Sequence, residues 1–292
     1  MKKNLGATLK ILEEKLFRPA FKEEDFKRLK KQMKEGLKQN KKQPDAMADE
    51  AFDYVLYGET PFGISASVKS VNKIDLQDIK NYYEKYYTPS LTKITIIGDI
   101  SEQEAKQKLG FLTSWATKNV TIPQLPASSS EKSGQFFIYD IPGAKSSVIN
   151  MGYTAIKYEP YGDFYKNRIA NFSFGGNFSS RLNLNLRENK GYTYGIRSSF
   201  GGNKYTGEFT IYSSVKRVAT AFSLSEIIKE LKGYNTGGIT DKELEFTKNS
   251  FLNGQSVRYE SAMQKIGFLY ELIMYDLDKN YIAKQNEILK NI

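Results

Sequence analysis

Apolar residues recur at helical spacing from Phe26 through Leu29 and Met33 to Leu37, and lysines fill most positions between them. That spacing predicts an amphipathic helix through the run 27–42, with its lysines forming a solvated face. Asp75–Tyr87 predicts another helix, stopped at Thr88-Pro89 because proline cannot extend the ladder. Leu91–Ile100, LTKITIIGDI, is β-branched and predicts a buried strand. Gln135–Asp140 (QFFIYD) and Ser146–Tyr153 (SSVINMGY) predict two more strands, separated by a turn at Pro142-Gly143. A helix over Tyr161–Phe172, a glycine-rich loop and a helix running through Arg187 follow. Alternating strands over Thr193–Phe200 and Glu208–Ser213 lead to an amphipathic helix over Val218–Leu231. Strands followed by packed helices, twice over, predict an α+β fold of sandwiched layers.

The pattern also repeats. Glu23–Leu37 matches Asp241–Gln255 in its acidic start, apolar spacing and the Lys30/Lys248 position, at an offset of 218. Gly63–Ile74 matches Tyr281–Ile292 at the same offset. Two matches at one offset imply a tandem duplication with both copies incomplete. The first copy runs on past Ile74 into a helix and a strand that the second does not reach, and the second is preceded by strands with no counterpart ahead of Met1. The expected division is residues 1–118 as the later part of a first domain, a linker rich in Pro, Ser and Thr over 119–134, and 135–292 as the earlier part of a second domain.

Composition narrows the chemistry. With 292 residues, 40% of them hydrophobic, the chain is long enough for one large core or two medium ones. No apolar run approaches the roughly 20 residues needed to cross a bilayer, so no membrane span is expected and the stretch reads as soluble, its compartment, cytoplasm or periplasm, left open. Cysteine and histidine are both absent, which removes thiolate and imidazole ligands together, so no metal or other cofactor is expected in this chain. The formal charge of +10 would favour an anionic partner, but the interleaved aromatics and clustered arginines of a nucleic-acid surface are missing from the lysine run.

The most specific stretch is Phe174–Phe200, FGGNFSSRLNLNLRENKGYTYGIRSSF. Gly175-Gly176 open it, Arg187 stands seven residues before Tyr194, and Gly191 marks a helix end. GGNFSSRL followed by LRENKGYTYG resembles the signature of the non-catalytic half of pitrilysin-type (M16) zinc metallopeptidases, and FRPAFKEEDF, LYGETPFG and YYTPSLTKITIIGDI resemble the later part of a domain in that family. The resemblance implies two-layer α/β sandwich domains of the LuxS/MPP-like type. It also implies a zinc-bearing partner half, in the same polypeptide or a separate subunit, with peptides as substrates. By residue-to-residue match, Arg187 and Tyr194 take the roles of the arginine and tyrosine that face the metal, with Tyr192 the rival for the tyrosine role and, beside Gly175 and Gly176, a further substrate-binding candidate. In the helix matching 26–37, zinc-binding relatives carry acids at the positions of Leu29 and Gly36, and neither is acidic here. The first domain therefore resembles one that never held zinc. A fold kept purely for structure or binding is the alternative.

Overall fold

The structure is a computed structural model describing residues 2–122, 125, 134–257 and 259–292. Cα packing divides the chain into two compact units, one of Met1–Leu37, Ala66–Gln124 and Gln255–Asp278, the other of Lys38–Ser65, Leu125–Gly254 and Lys279–Ile292.

The first unit is helical. It holds α1 (Leu5–Phe17), most of α2 (Glu23–Asn40), α4 (Val68–Lys73), α5 (Leu76–Tyr86), α6 (Glu102–Lys108) and α11 (Ala262–Tyr275). Ser67 and Asp75 each cap a helix reciprocally with the residue three positions on, which stops α4 and α5 from merging. Phe17 meets Phe111 and Trp115 edge-on at 6.1 and 6.0 Å, and Tyr83 donates to the Leu16 carbonyl at 2.5 Å. Among the described residues of this unit, Val71 and Thr88 alone are fully buried, so its apolar core is thin.

That thinness accounts for one correction. Leu91–Ile100 starts at the end of a 3-10 turn and forms no ladder, and Ile94 and Ile96 are exposed. A strand must pair its N–H and C=O groups, and this unit has no strand among its described residues to accept them. Gln135–Asp140, in the second unit, likewise forms no strand and is exposed. The expected linker lies largely outside the described residues.

The second unit carries the sheet. β1 (Ser146–Ala155), β2 (Thr193–Gly202) and β3 (Gly207–Lys216) form an antiparallel sheet in the order β1-β3-β2. β1 and β3 pair in unbroken register from Ser146↔Lys216 to Ala155↔Gly207. Period-two alternation puts Phe209, Ile211, Ser213 and Val215 inside. There they join Ile149, Ile196, Phe174, Leu182, Leu186 and Ile227 in one core, the last supplied by α9 (Thr220–Gly237). A smaller cluster joins Tyr165 and Ile169 of α7 (Asp163–Asn171) to Leu289 of α12 (Tyr281–Asn291).

The outer face of the sheet is met by α3 (Pro44–Tyr57), a helix from the early part of the chain. Asn150 donates to Asp49 at 2.9 Å, Tyr212 donates to Asp45 at 2.6 Å, and Tyr57 donates to Glu208. The Asp45 bond, helped by burial, pushes the Tyr212 phenol up to about 12. Burial, followed by the charges of Asp49 and Glu208, raises the Asp53 carboxyl.

Helix bounds recur at the spacing of the sequence matches. α3 and α11 both span 14 residues, and their first residues, Pro44 and Ala262, are 218 apart. The two fall in opposite units. α2 and α10 (Asp241–Val257) start 218 apart as well. Lys30 donates to the Asn72 and Ile74 carbonyls at 3.0 and 2.5 Å, and Lys248 donates to the main-chain oxygens of Lys290 and Ile292 at 3.2 and 2.6 Å.

Candidate functional site

The segment from Phe172 to Asn189 is not the loop and single helix that its sequence predicts. α7 runs into a π-helical turn over Phe172–Gly176, then a short bend leads to α8 (Arg181–Asn183) and a second π-helical turn over Leu184–Asn189. Such wide turns are rare and cluster at functional sites. Here the first holds Gly175 and Gly176 and the second holds Arg187. A Cβ on buried Gly175 would sit 2.2 Å from Ser198 Oγ and 2.8 Å from its backbone N, so glycine lets this turn lie directly on β2. Gly176 is exposed and its nearest neighbour would be 3.2 Å away.

Two buried asparagines stitch the segment to β2. Asn171 donates to the Ser198 carbonyl at 2.9 Å and accepts from the Ser198 hydroxyl at 2.5 Å. Asn183 accepts from Ile196 N–H at 3.3 Å and donates to the Phe178 carbonyl at 2.6 Å. These side chains satisfy main-chain groups of β2, which is an edge strand of the sheet. Arg181 adds a third tie. It grips Glu243 with two bonds of 2.6 Å, reaches the Gly238 carbonyl at 2.9 Å and lies over the Tyr234 ring. Glu243 also accepts from Thr240, the residue before α10, and the Arg181 pair together with the Thr240 bonds lowers its carboxyl to about 2.

Arg187 is two-thirds covered and lies 4.2 Å from the Phe178 ring centroid, with Glu188 as its charged neighbour at 3.4 Å. Gly191 takes φ +62, closing the turn as a glycine past a helix end should, and Tyr192 N–H bonds the Leu186 carbonyl at 2.9 Å. β2 then begins irregularly. A bulge between Thr193 and Ile196 breaks the register with β3, and the Thr193 hydroxyl, 3.1 Å from Gly195 N and 2.7 Å from the Ser214 carbonyl, holds it. The bulge turns Tyr194 outward, 97% exposed. Tyr192 is half-buried, with its ring 6.4 Å from that of Phe222. Strand periodicity alone would put both tyrosines on one face, and the bulge breaks that equivalence.

All five residues named from sequence thus lie on one short segment of the second unit. Sequence reasoning gave no role to Phe178, Arg181, Asn171, Asn183 or Glu243. The Thr240-x-x-Glu243 capping box was a readable signal for the last. Zinc, which the family implies, does not fit this chain: histidine and cysteine are absent, and no three Asp or Glu among the described residues converge as ligands.

Comparison with known proteins follows the same segment. The family described as "Peptidase M16 inactive domain" matches residues 73–251, more than half of the chain and including every residue of this site. The chain belongs to the peptidase M16 inactive-domain family. Among curated proteins, it is 26% identical to "Uncharacterized zinc protease YmxG" of Bacillus subtilis, over 88% of this chain and 62% of that one. It is 23% identical to "Non-peptidase homolog YmxG" of Helicobacter pylori, over 92% of this chain and 62% of that one. The chain therefore spans less than two thirds of the length of these two relatives. A solved M16 inactive domain from Pseudomonas fluorescens superposes with a TM-score of 0.85 at 22% identity, covering 98% of this chain and 68% of that one. No helix among the described residues is long and apolar enough to cross a membrane.

Proposed function

We propose that this chain is the arginine- and tyrosine-bearing side of a zinc-dependent endopeptidase, two incomplete copies of one ancestral M16 domain that work with a zinc-bearing half in the same polypeptide or in a second subunit. The zinc-bearing half would supply the metal-activated water. This chain's own residues hold the peptide and stabilise charge. Arg187, with in-plane N–H donors, takes peptide carbonyls, and the Tyr194 phenol donates to the oxygen that turns negative as the scissile carbonyl becomes tetrahedral. A donor aimed at developing charge helps the transition state more than the bound substrate. Gly176 and Tyr192 border the peptide path, and Gly175 serves packing.

The observation that carries this reading is Tyr194, a bulky aromatic left 97% exposed at a hydrogen-bonded bulge. A tyrosine kept for sheet packing would lie against its neighbours, as Tyr192 does against Phe222. The duplication draws support from the two lysines 218 residues apart that make equivalent bonds. In the assembled peptidase, Tyr194→Phe should lower kcat about 10²- to 10³-fold with KM little changed, and Arg187→Ala should lower kcat/KM. Unchanged peptide hydrolysis in both variants would remove the catalytic role. A second reading has a specific motive in the Helicobacter relative named a non-peptidase homologue. In it the same surface binds a protein segment without cleaving it, so the assembled protein would bind peptide but release no products.

A further inference from the structure

Resting on that reading, we infer that Phe178 is the positioning residue that sets the plane of the Arg187 guanidinium. Phe178 belongs to the bend between the two π-helical turns, and its ring is 65% exposed. An exposed phenylalanine gains little from burial, so its place beside a candidate substrate-binding arginine calls for another account. Arg187 Cζ lies 4.2 Å from the ring centroid, well inside the range in which an aromatic face attracts a guanidinium. A ring contact of this kind occupies none of the N–H donors, of which the Nη1 group alone faces Glu188. The other charged neighbour, Glu188, adjoins Arg187 in sequence, stands 3.4 Å away and is itself half open to water. Glu188 alone would hold the long side chain loosely, since an exposed ion pair barely offsets the side-chain entropy it costs.

The backbone beneath the ring is fixed as well. Asn183 donates to the Phe178 carbonyl at 2.6 Å and accepts from Ile196 N–H at 3.3 Å. The Phe178 ring is thereby referenced to the strand that carries Tyr194, and the stack passes that reference to Arg187. Phe178 acts through Arg187 and needs no substrate contact of its own.

The test compares Phe178→Leu with Phe178→Tyr. Two-dimensional NMR of the Arg187 side chain in this chain should show ring-shifted, slowly averaging Nε–H and Cδ–H signals in the parent and the Tyr variant, and signals typical of a free arginine in the Leu variant. Both variants should melt with the parent, because the ring is exposed. In the assembled peptidase, Phe178→Leu should lower kcat/KM about two- to fivefold, the worth of an exposed cation–π contact, while Phe178→Tyr keeps parental activity. Unshifted Arg187 signals in the parent, or a Leu variant with parental NMR signals and kinetics, would overturn the inference. If Arg187→Ala itself leaves hydrolysis intact, the functional reading fails first, and the NMR comparison still decides whether Phe178 holds the guanidinium.

Discussion

The firmest quantitative handle on the site's scaffold is Glu243. Its carboxylate takes two bonds of 2.6 Å from Arg181 and two more from Thr240 at 2.8 and 2.9 Å, with a quarter of its side chain open to solvent. Its carboxyl is lowered from 4.5 to about 2, first by Arg181. At about 1.4 kcal/mol for each decade, that drop sets a ceiling of about 3 kcal/mol. Solvent access screens the pair, so Glu243→Gln should cost about 1–2 kcal/mol at pH 7. Because the folded-state value is depressed, the stabilisation is full above about pH 4.5 and is lost as pH falls toward 2. Urea denaturation from pH 7 down to 3 should therefore show parent and variant separated at neutral pH and converging below about 4.5, with equal m values. A gap that is constant across this range, or absent at pH 7, would refute the reasoning. Arg181→Lys, which keeps the charge but loses the fork, should lose part of the same increment.

Gly175→Ala should destabilise by about 1–3 kcal/mol, since its methyl would meet Ser198 and Leu182 within 3 Å, whereas Gly176→Ala should cost distinctly less; chemical denaturation distinguishes them. Lys30→Met and Lys248→Met should each cost about 0.3–1 kcal/mol, because each removes a cation from the carbonyls of a late helical turn. Equal costs for the two lysines, read by urea melts, are expected if the copies share one architecture.

Much of the fold was legible where local pattern and final packing agree. Alternation in Glu208–Ser213 marked which side of β3 is buried, and the Gly-Gly to Arg to Tyr spacing singled out the segment that packs against β2 as the candidate site. Strand signal failed at Leu91–Ile100 and Gln135–Asp140, because β-branched and aromatic content reports a taste for pairing, and pairing needs a neighbour. The π-helical turns left no periodic trace, as one extra residue per turn is smaller than the tolerance of any apolar pattern. Nor does the apolar stripe of Pro44–Tyr57 say what it covers. Nothing local in the sequence marks Asp45 and Asp49 as the acceptors of Tyr212 and Asn150.

The placement of Pro44–Tyr57 on the sheet bears on how the chain can be divided. Severing it near residue 120 yields no two self-sufficient pieces. The leading fragment would carry away the helix that shields β1, while the trailing fragment would keep the strands that helix was folded to cover. A protease nick at that point should leave both fragments clasped together, and a gene split at the same place would still encode one interdependent fold.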